Sequence, residues 1–455
     1  MGDKVDNRRS EAEWTRREFL KLAGAGAALA ALGGAGAGVM SLPRAVLAGP
    51  KVINLNFTVW SYSIDTIQDN INKFQTAYNN AITVKLNDVP WPQYHETMVN
   101  RLSSKTALHV LYNGGDWLPE FARAGWVVPL EDYLPRARTY YAPKIVGYAL
   151  QDMTYNGKMY GLPYYADITT FQYNAKLLKD KGVAKPPTTW EELTDQAKFL
   201  RGKGVESPMA FEFAVGLPTT YDNFTAMMFG RGGEWFDKDL NPIFDQPNSA
   251  ARQQLTWLAD MVKQKLATVL PHETDVVKAM NTGKHVYTVL WNYNLADANN
   301  AAVHPLAGQF KAALMPGSTH ETQGQCKFYN LTRYAVDQGQ ETVDGALKFI
   351  EYFGGEYKGQ YAIAKRWAVE KGLGFGQLPL FEDADVKKSF GQWIDFDMFK
   401  LQASKARARR HAVWEGIFGE FARVQLVRAI SGEAPVDETI GAMAQKVKEL
   451  RAQFK

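Results

Sequence analysis

Several places along the 455-residue chain set an aromatic ring beside a polar group. They are Trp60 and Tyr62 around Ser61, Asp116 with Trp117, Tyr164 and Tyr165 with Asp167, Trp235 with Glu234, and Trp291 with Asn292. An aromatic plane can cover the C–H face of a ligand ring, and one carboxylate can accept from two adjacent hydroxyls. The chemistry these pairs suit is recognition of a polyhydroxylated molecule, without any covalent step. Each pair also has a packing alternative. Trp190 beside its helix start and Trp257 in an amphipathic helix read as core, while Trp235 and Tyr173 fit either role.

Catalytic and cofactor signatures are missing. There is no G-x-x-x-x-G-K-S/T, no G-x-S-x-G and no H-E-x-x-H, and the seven His are scattered singly. Gly372-x-Gly374-x-Gly376 lacks a strand-to-helix setting and reads as a flexible turn. The single cysteine, Cys326, excludes an intrachain disulfide and any cysteine-held metal or iron–sulfur cluster. No cofactor is expected. The basic run Lys405 to Arg410 reads as a solvated helix face. An exported hydrolase using Asp116 and Asp167 is the reading from another class, with no motif to support it.

The elements that must position the aromatic–polar pairs begin at Lys51. Lys51–Trp60 alternates as a strand, Thr66–Asn79 has helical spacing, and Ala81–Leu86 is a second strand. Tyr94–Ser104 then reads as a helix and Ala107–Tyr112 as a third strand. This β-α-β-α-β order predicts a parallel sheet with crossover helices, and ligands sit beyond the carboxyl ends of such strands. The loops there hold Trp60 to Ser63, Asn87 to Pro92 with Asp88, and Asn113 to Trp117. With Asp65 just beyond the first, they hold Asp65, Asp88 and Asp116 and no Arg, which tells against a phosphate-bearing ligand and leaves an amine open. Farther on, Thr189 with Glu192 predicts a capping box, and helices are expected over 250–263, 342–353 and the C-terminal tail.

The first residues carry an address. Thr15-Arg16-Arg17 followed by Phe19-Leu20-Lys21 resembles the bacterial twin-arginine export signal. An uncharged Ala/Gly-rich run follows, closed by Val46 and Ala48 at the −3 and −1 positions of a cleavage site. Cleavage after Ala48 and a periplasmic location are expected, with the twin-arginine translocase as export partner. Of 52 Lys/Arg and 48 Asp/Glu, seven and five fall within residues 1–48, so the remaining 407 residues are near neutral. That balance argues against nucleic acid as a partner.

Leu111 to Leu134 and Asn156 to Leu193 (NGKMYGLPYYADITTFQYNAKLLKDKGVAKPPTTWEEL) resemble hallmark segments of the bacterial extracellular solute-binding proteins of family 1. Gly232 to Phe236, Met280 to Lys284, Trp291 to Tyr293 and Met315 to Gly317 follow in the same order. Lys327-Phe328-Tyr329-Asn330 departs from a small Gly-Gly step common in that family. The resemblance implies an α/β, two-lobed periplasmic-binding-protein fold of type II, with lobes of mostly parallel sheet joined by a hinge of crossovers. It places the N-lobe at 49–163 and 316–370 and the C-lobe at 164–315 and 371–455. It implies a carbohydrate ligand held between the lobes and an ABC transporter permease as partner. A polyamine or glycerol-phosphate ligand is the alternative on the same fold. The ligand-binding candidates are Trp60, Tyr62, Asp88, Asp116, Trp117, Tyr164, Tyr165, Asp167, Trp235, Trp291, Asn292, Tyr329 and Trp367. Tyr164, Tyr165 and Trp367 lie near expected crossovers and would serve hinge or ligand.

Overall fold

The computed structural model describes residues 52–454, so the export signal and its cleavage site lie outside the described residues. The opening alternation folds as expected. Strand β1 (Ile53–Trp60), a helix at Ile64–Ala77, β2 (Ile82–Val89), a helix at Trp91–Ser103 and β3 (Val110–Gly114) follow in order, with β1 parallel to both β2 and β3. Leu55, Phe57 and Val59 turn one face of β1 into the core, where Phe57 meets Phe349 and Phe353 of the helix Gln340–Gly354.

The strands form two flanks of sheet joined through one long shared strand. With β4 at Gly161–Asn174, β5 at Met209–Glu212, β6 at Ala267–Leu270, β7 at Tyr287–Trp291, β8 at Phe310–Ala313 and β9 at Thr322–Leu331, the order is β2-β1-β3-β9-β4-β7-β5-β6. β8 adds to β4, and Ala406–Arg407 adds to β9, giving ten strands among the described residues. The flanks are parallel, but β9 runs antiparallel to β3 and β4, and β4 antiparallel to β7. The fourteen-residue β4 pairs with β9 through its first half and with β7 through its second. Thus β4 and β9 carry the chain between the two flanks.

Two hydrophobic cores lie on this frame. One gathers β1–β3, the helix Gln340–Gly354 and the segment from Leu373 to Ala408. The other gathers Trp190, Phe224, Trp235, Leu255 and the C-terminal helices Glu415–Ser431 and Val436–Gln453. Thr189 caps the helix Trp190–Gly202 by accepting from the Glu192 amide at 3.0 Å. The reciprocal half of the expected capping box is displaced: the Glu192 carboxylate accepts from the amide and hydroxyl of Thr188 instead. Among the described residues, no helix is long and apolar enough to cross a membrane.

Candidate ligand-binding site

Around the end of β1, rings converge. Trp60 and Tyr62 stack with centroids 4.9 Å apart and planes 5° from parallel, and Trp91 meets Trp60 edge-on. Tyr62 is half-buried, and burial followed by the charge of Asp167 and then Glu273 pushes its hydroxyl pKa upward. Tyr62 therefore lies within electrostatic reach of Asp167, midway along β4, and of Glu273, which opens the helix Glu273–Met280 after β6. Tyr165 shares that space, its hydroxyl 2.8 Å from that of Tyr112. Tyr293 donates to Glu273 at 2.9 Å.

Asp167 is held by neutral donors. The Gly374 amide donates to it at 2.6 Å, and the Asn292 side chain adds a bond. Burial outweighs both and, with Glu273 nearby, lifts its carboxyl to about 7. Gly374 is needed for that approach, since a Cβ there would stand 2.1 Å from the Ala166 carbonyl oxygen. The Gly-rich turn is thus a packed element, contrary to the flexible turn its sequence suggests. Glu212, the last residue of β5, behaves like Asp167. It accepts from Thr219 at 2.6 Å and Asn223 at 3.2 Å, yet burial, reinforced by Glu273 and Asp222, raises it to about 7. Glu273 is likewise raised by burial, with Asp297 adding to it against the bonds from Tyr293 and Asn294 and the nearby His272. No Lys or Arg among the described residues forms an ion pair with any of the three.

Beyond the end of β3 the carboxylates are matched. Lys327 Nζ lies 3.0 Å from Asp116 Oδ1 and 4.9 Å from the Trp117 ring centroid. Burial would push Asp116 upward, but Lys327, Arg409 and His411 outweigh it and hold the carboxyl low. Arg409 pairs with Asp222 and donates to Glu415 at 2.8 Å. His411 sits 2.8 Å from Asp152 and 2.6 Å from Glu415. Burial disfavours its charge, yet those two carboxylates lift its pKa to about 10, so it stands protonated between them. Asp152 also accepts from the Cys326 amide at 2.6 Å. A cavity of about 240 Å³ opens beside this network, with Gln151, Tyr155, Lys238 and Arg410 among its walls. The run Lys405 to Arg410 is therefore no solvated helix face, because Arg409 is buried at the centre of these pairs.

The other candidates separate by packing. Asp88 is exposed and accepts from Ser61 at 2.6 Å. Trp117 is 9% exposed and stacks on Tyr94. Trp291 is buried and ends β7, and Asn292 next to it accepts from the Ile168 amide at 2.9 Å. Tyr164 is buried and stacks on Trp367, which also lies 6.2 Å from Tyr62. Tyr329 is packed between Phe57, Phe353 and Tyr164 with no exposed surface. Trp235 lies inside the second core, donating to Thr225 at 2.8 Å and ringed by Tyr221, Phe244 and Phe418. Neither Trp235 nor Tyr329 offers a free face to a ligand here, because other rings already cover them. Sequence reasoning missed Glu212, Glu273, Arg409 and His411. Glu212 ends β5 and Glu273 follows β6, but both strands are only four residues long, so the strand-end rule applied to β1–β3 had no declared strand to start from. Among the described residues, no group of three or more His, Cys, Asp or Glu could hold a metal ion.

A sheet whose flanks meet through β4 and β9, with polar and aromatic groups at its strand ends, is the architecture of the maltose-binding type of periplasmic binding protein. Maltose-bound MalE3 of T. maritima superposes with a TM-score of 0.75 at 17% identity, covering 88% of this chain and 100% of that one. The GacH receptor of Streptomyces glaucescens, solved unliganded and with acarbose, gives 0.72 at 19% identity over 87% of this chain and 98% of that one. Residues 60–356 match the family model described as bacterial extracellular solute-binding protein, and the chain belongs to that family. A putative binding protein of Brucella abortus is 26% identical over 266 residues, 55% of this chain and 60% of that relative. This chain thus spans less than two thirds of the Brucella relative's length. The diacetylchitobiose binding protein DasA of Streptomyces coelicolor is 24% identical over 333 residues, 70% of this chain and 74% of DasA.

Proposed function

We propose that this protein captures a carbohydrate, meaning a sugar, oligosaccharide or polyol, in a cleft between two lobes and delivers it to an ABC transporter permease. The observation that carries the reading is the convergence of Tyr62, Tyr165, Asp167, Glu273 and Tyr293, drawn from three separate parts of the sheet. Rings for the sugar faces and carboxylates for its hydroxyls meet there, on elements joined by β4 and β9. The half-buried Trp60 extends the aromatic wall, Trp117 and Trp291 pack behind it, and β4 and β9 serve as the bending strands when the lobes close over the ligand. The carbohydrates in the names of DasA, MalE3 and GacH support the same ligand class. A glycerol-phosphate ligand is disfavoured, because Lys327 and Arg409 are already matched by Asp116, Asp222 and Glu415. The protein acts by binding without turnover. It works in the periplasm after twin-arginine export and cleavage near Ala48.

A thermal-shift screen of the chain from Gly49 against mono-, di- and oligosaccharides, polyols, spermidine and glycerol phosphate tests this, since a ligand of the folded state raises the melting temperature. The reading expects a shift with at least one sugar or polyol, recovered chemically unchanged. A shift confined to glycerol phosphate, or hydrolysis of the sugar, would contradict it.

A further inference from the structure

The acceptors around Glu212 and Glu273 outnumber the donors. Asn223 is 1% exposed and gives its amide nitrogen to Glu212, while its Oδ1 has no partner. Asn294 is 3% exposed, gives a side-chain bond to Glu273, and its Oδ1 also has no partner. An ionised carboxylate can only accept, so in that state each one fixes which end of its amide is nitrogen, and the Glu212 backbone carbonyl, 3.4 Å from the same Asn223 nitrogen, supports that orientation. The orphan oxygen stands on the same carbon as the nitrogen bound to the carboxylate. Buried acceptors left unpaired are costly, which makes two of them next to an unmatched acidic group a request for donors from outside.

Charge sharpens the request. Glu273 acts on both Asp167 and Glu212, and no Lys or Arg among the described residues forms an ion pair with any of the three. Hydroxyl groups would supply donors and leave the mutual repulsion in place. An ammonium would supply three donors and the missing positive charge together, in charge-assisted bonds. The half-buried rings of Tyr62, Tyr165 and Tyr293 would flank it, as aromatic faces flank a cation.

We propose that the cleft selects a sugar carrying a free amine, an amino sugar or aminocyclitol, whose ammonium is received beside Glu273, between Asp167 and Glu212, with other donors of the ligand meeting the free amide oxygens of Asn223 and Asn294. This inference rests on the carbohydrate-binding reading and narrows it. Part of the empty-state repulsion is relieved by protonation, since Asp167 and Glu212 both titrate at about 7.

The test is isothermal titration calorimetry of the chain from Gly49 at pH 7.5 with matched pairs: glucosamine against glucose, galactosamine against galactose, and deacetylated chitobiose against cellobiose. Each amine is also compared with its N-acetyl form, and spermidine is included. The expected result is an amine member binding at least about tenfold tighter than its neutral partner, with the gain abolished by N-acetylation. Glu273→Gln and Glu212→Gln should lower that ratio while the melting temperature shows each variant folded. Neutral sugars binding as tightly as their amines would overturn the amine inference and leave the carbohydrate reading standing. Binding of spermidine with none of the sugars would overturn both.

Discussion

Two sets of buried carboxylates in this fold are treated in opposite ways. Asp116, Asp152, Asp222 and Glu415 each have a cation at hand, supplied by Lys327, Arg409 or a protonated His411. Asp167, Glu212 and Glu273 have amide, hydroxyl and backbone donors only. The first set ties the helix Gly147–Asp152 to the segment from Arg409 to Glu415 and to the helix Thr219–Gly230. Its charges are satisfied within the protein, so it acts as a staple. The second set carries unspent acceptor capacity, which on the proposed function a ligand's donors would fill. Burial is common to both sets; the difference lies in who supplies the partner.

The comparison is most severely strained by removing Arg409. Arg409→Met would leave Asp222 and Glu415 buried without their guanidinium, and the loss of a buried partner should lower unfolding stability by about 3–5 kcal/mol in a denaturant titration. A loss below about 1 kcal/mol would show that the staple is not one.

The pH dependence of the two sets should have separate windows. Asp167 and Glu212 have folded values of about 7 against unfolded values near 4. The folded state therefore holds more protons between those limits, and their stability contribution is full below about pH 4 and lost as pH rises through 7. Asp167→Asn and Glu212→Gln should flatten that part of a melting-temperature profile. His411, lifted to about 10 from an unfolded value near 6.5, contributes stability that is full below about pH 6.5 and lost as pH rises through 10. His411→Gln should flatten only the alkaline part. A variant that flattens the other set's window would break the separation.

Smaller effects distinguish wall from core. Tyr62→Ala removes a half-buried ring facing Asp167 and Glu273, and should weaken binding of the ligand found by screening about tenfold. Trp235→Phe puts a smaller ring in the same place and drops the bond to Thr225, and should cost about 1–3 kcal/mol of stability while affinity holds. Parallel titration and melting of the two variants would show whether the effects fall on opposite readouts.

Most of the β1–β3 half was legible in sequence because its signals are local. Leu55, Phe57 and Val59 alternate, Ile67, Ile71 and Phe74 keep helical spacing, and the loop after each strand is short. The placement of Tyr62 and Asp116 was legible there too, since both stand just past strand ends. Glu212 escaped because β5 is four residues long, too short for alternation to declare it a strand. Arg409 sits in a basic run that looks solvated until Asp222, distant in sequence, and Glu415 fold around it. The roles of Trp235 and Tyr329 were hidden for the opposite reason. Residue type alone does not distinguish a ring covered by other rings from one left open to a ligand.

The most direct test of the central claim, that the unmatched carboxylates receive the ligand, is proton exchange on binding. Calorimetric titration of the ligand identified by screening, in phosphate and in Tris at pH 7, measures it through the buffers' different ionisation heats. Donors arriving at Asp167 and Glu212 should favour their ionised forms, so the account predicts net proton release and a different apparent enthalpy in the two buffers. Equal enthalpies in both buffers, or proton uptake, would contradict it.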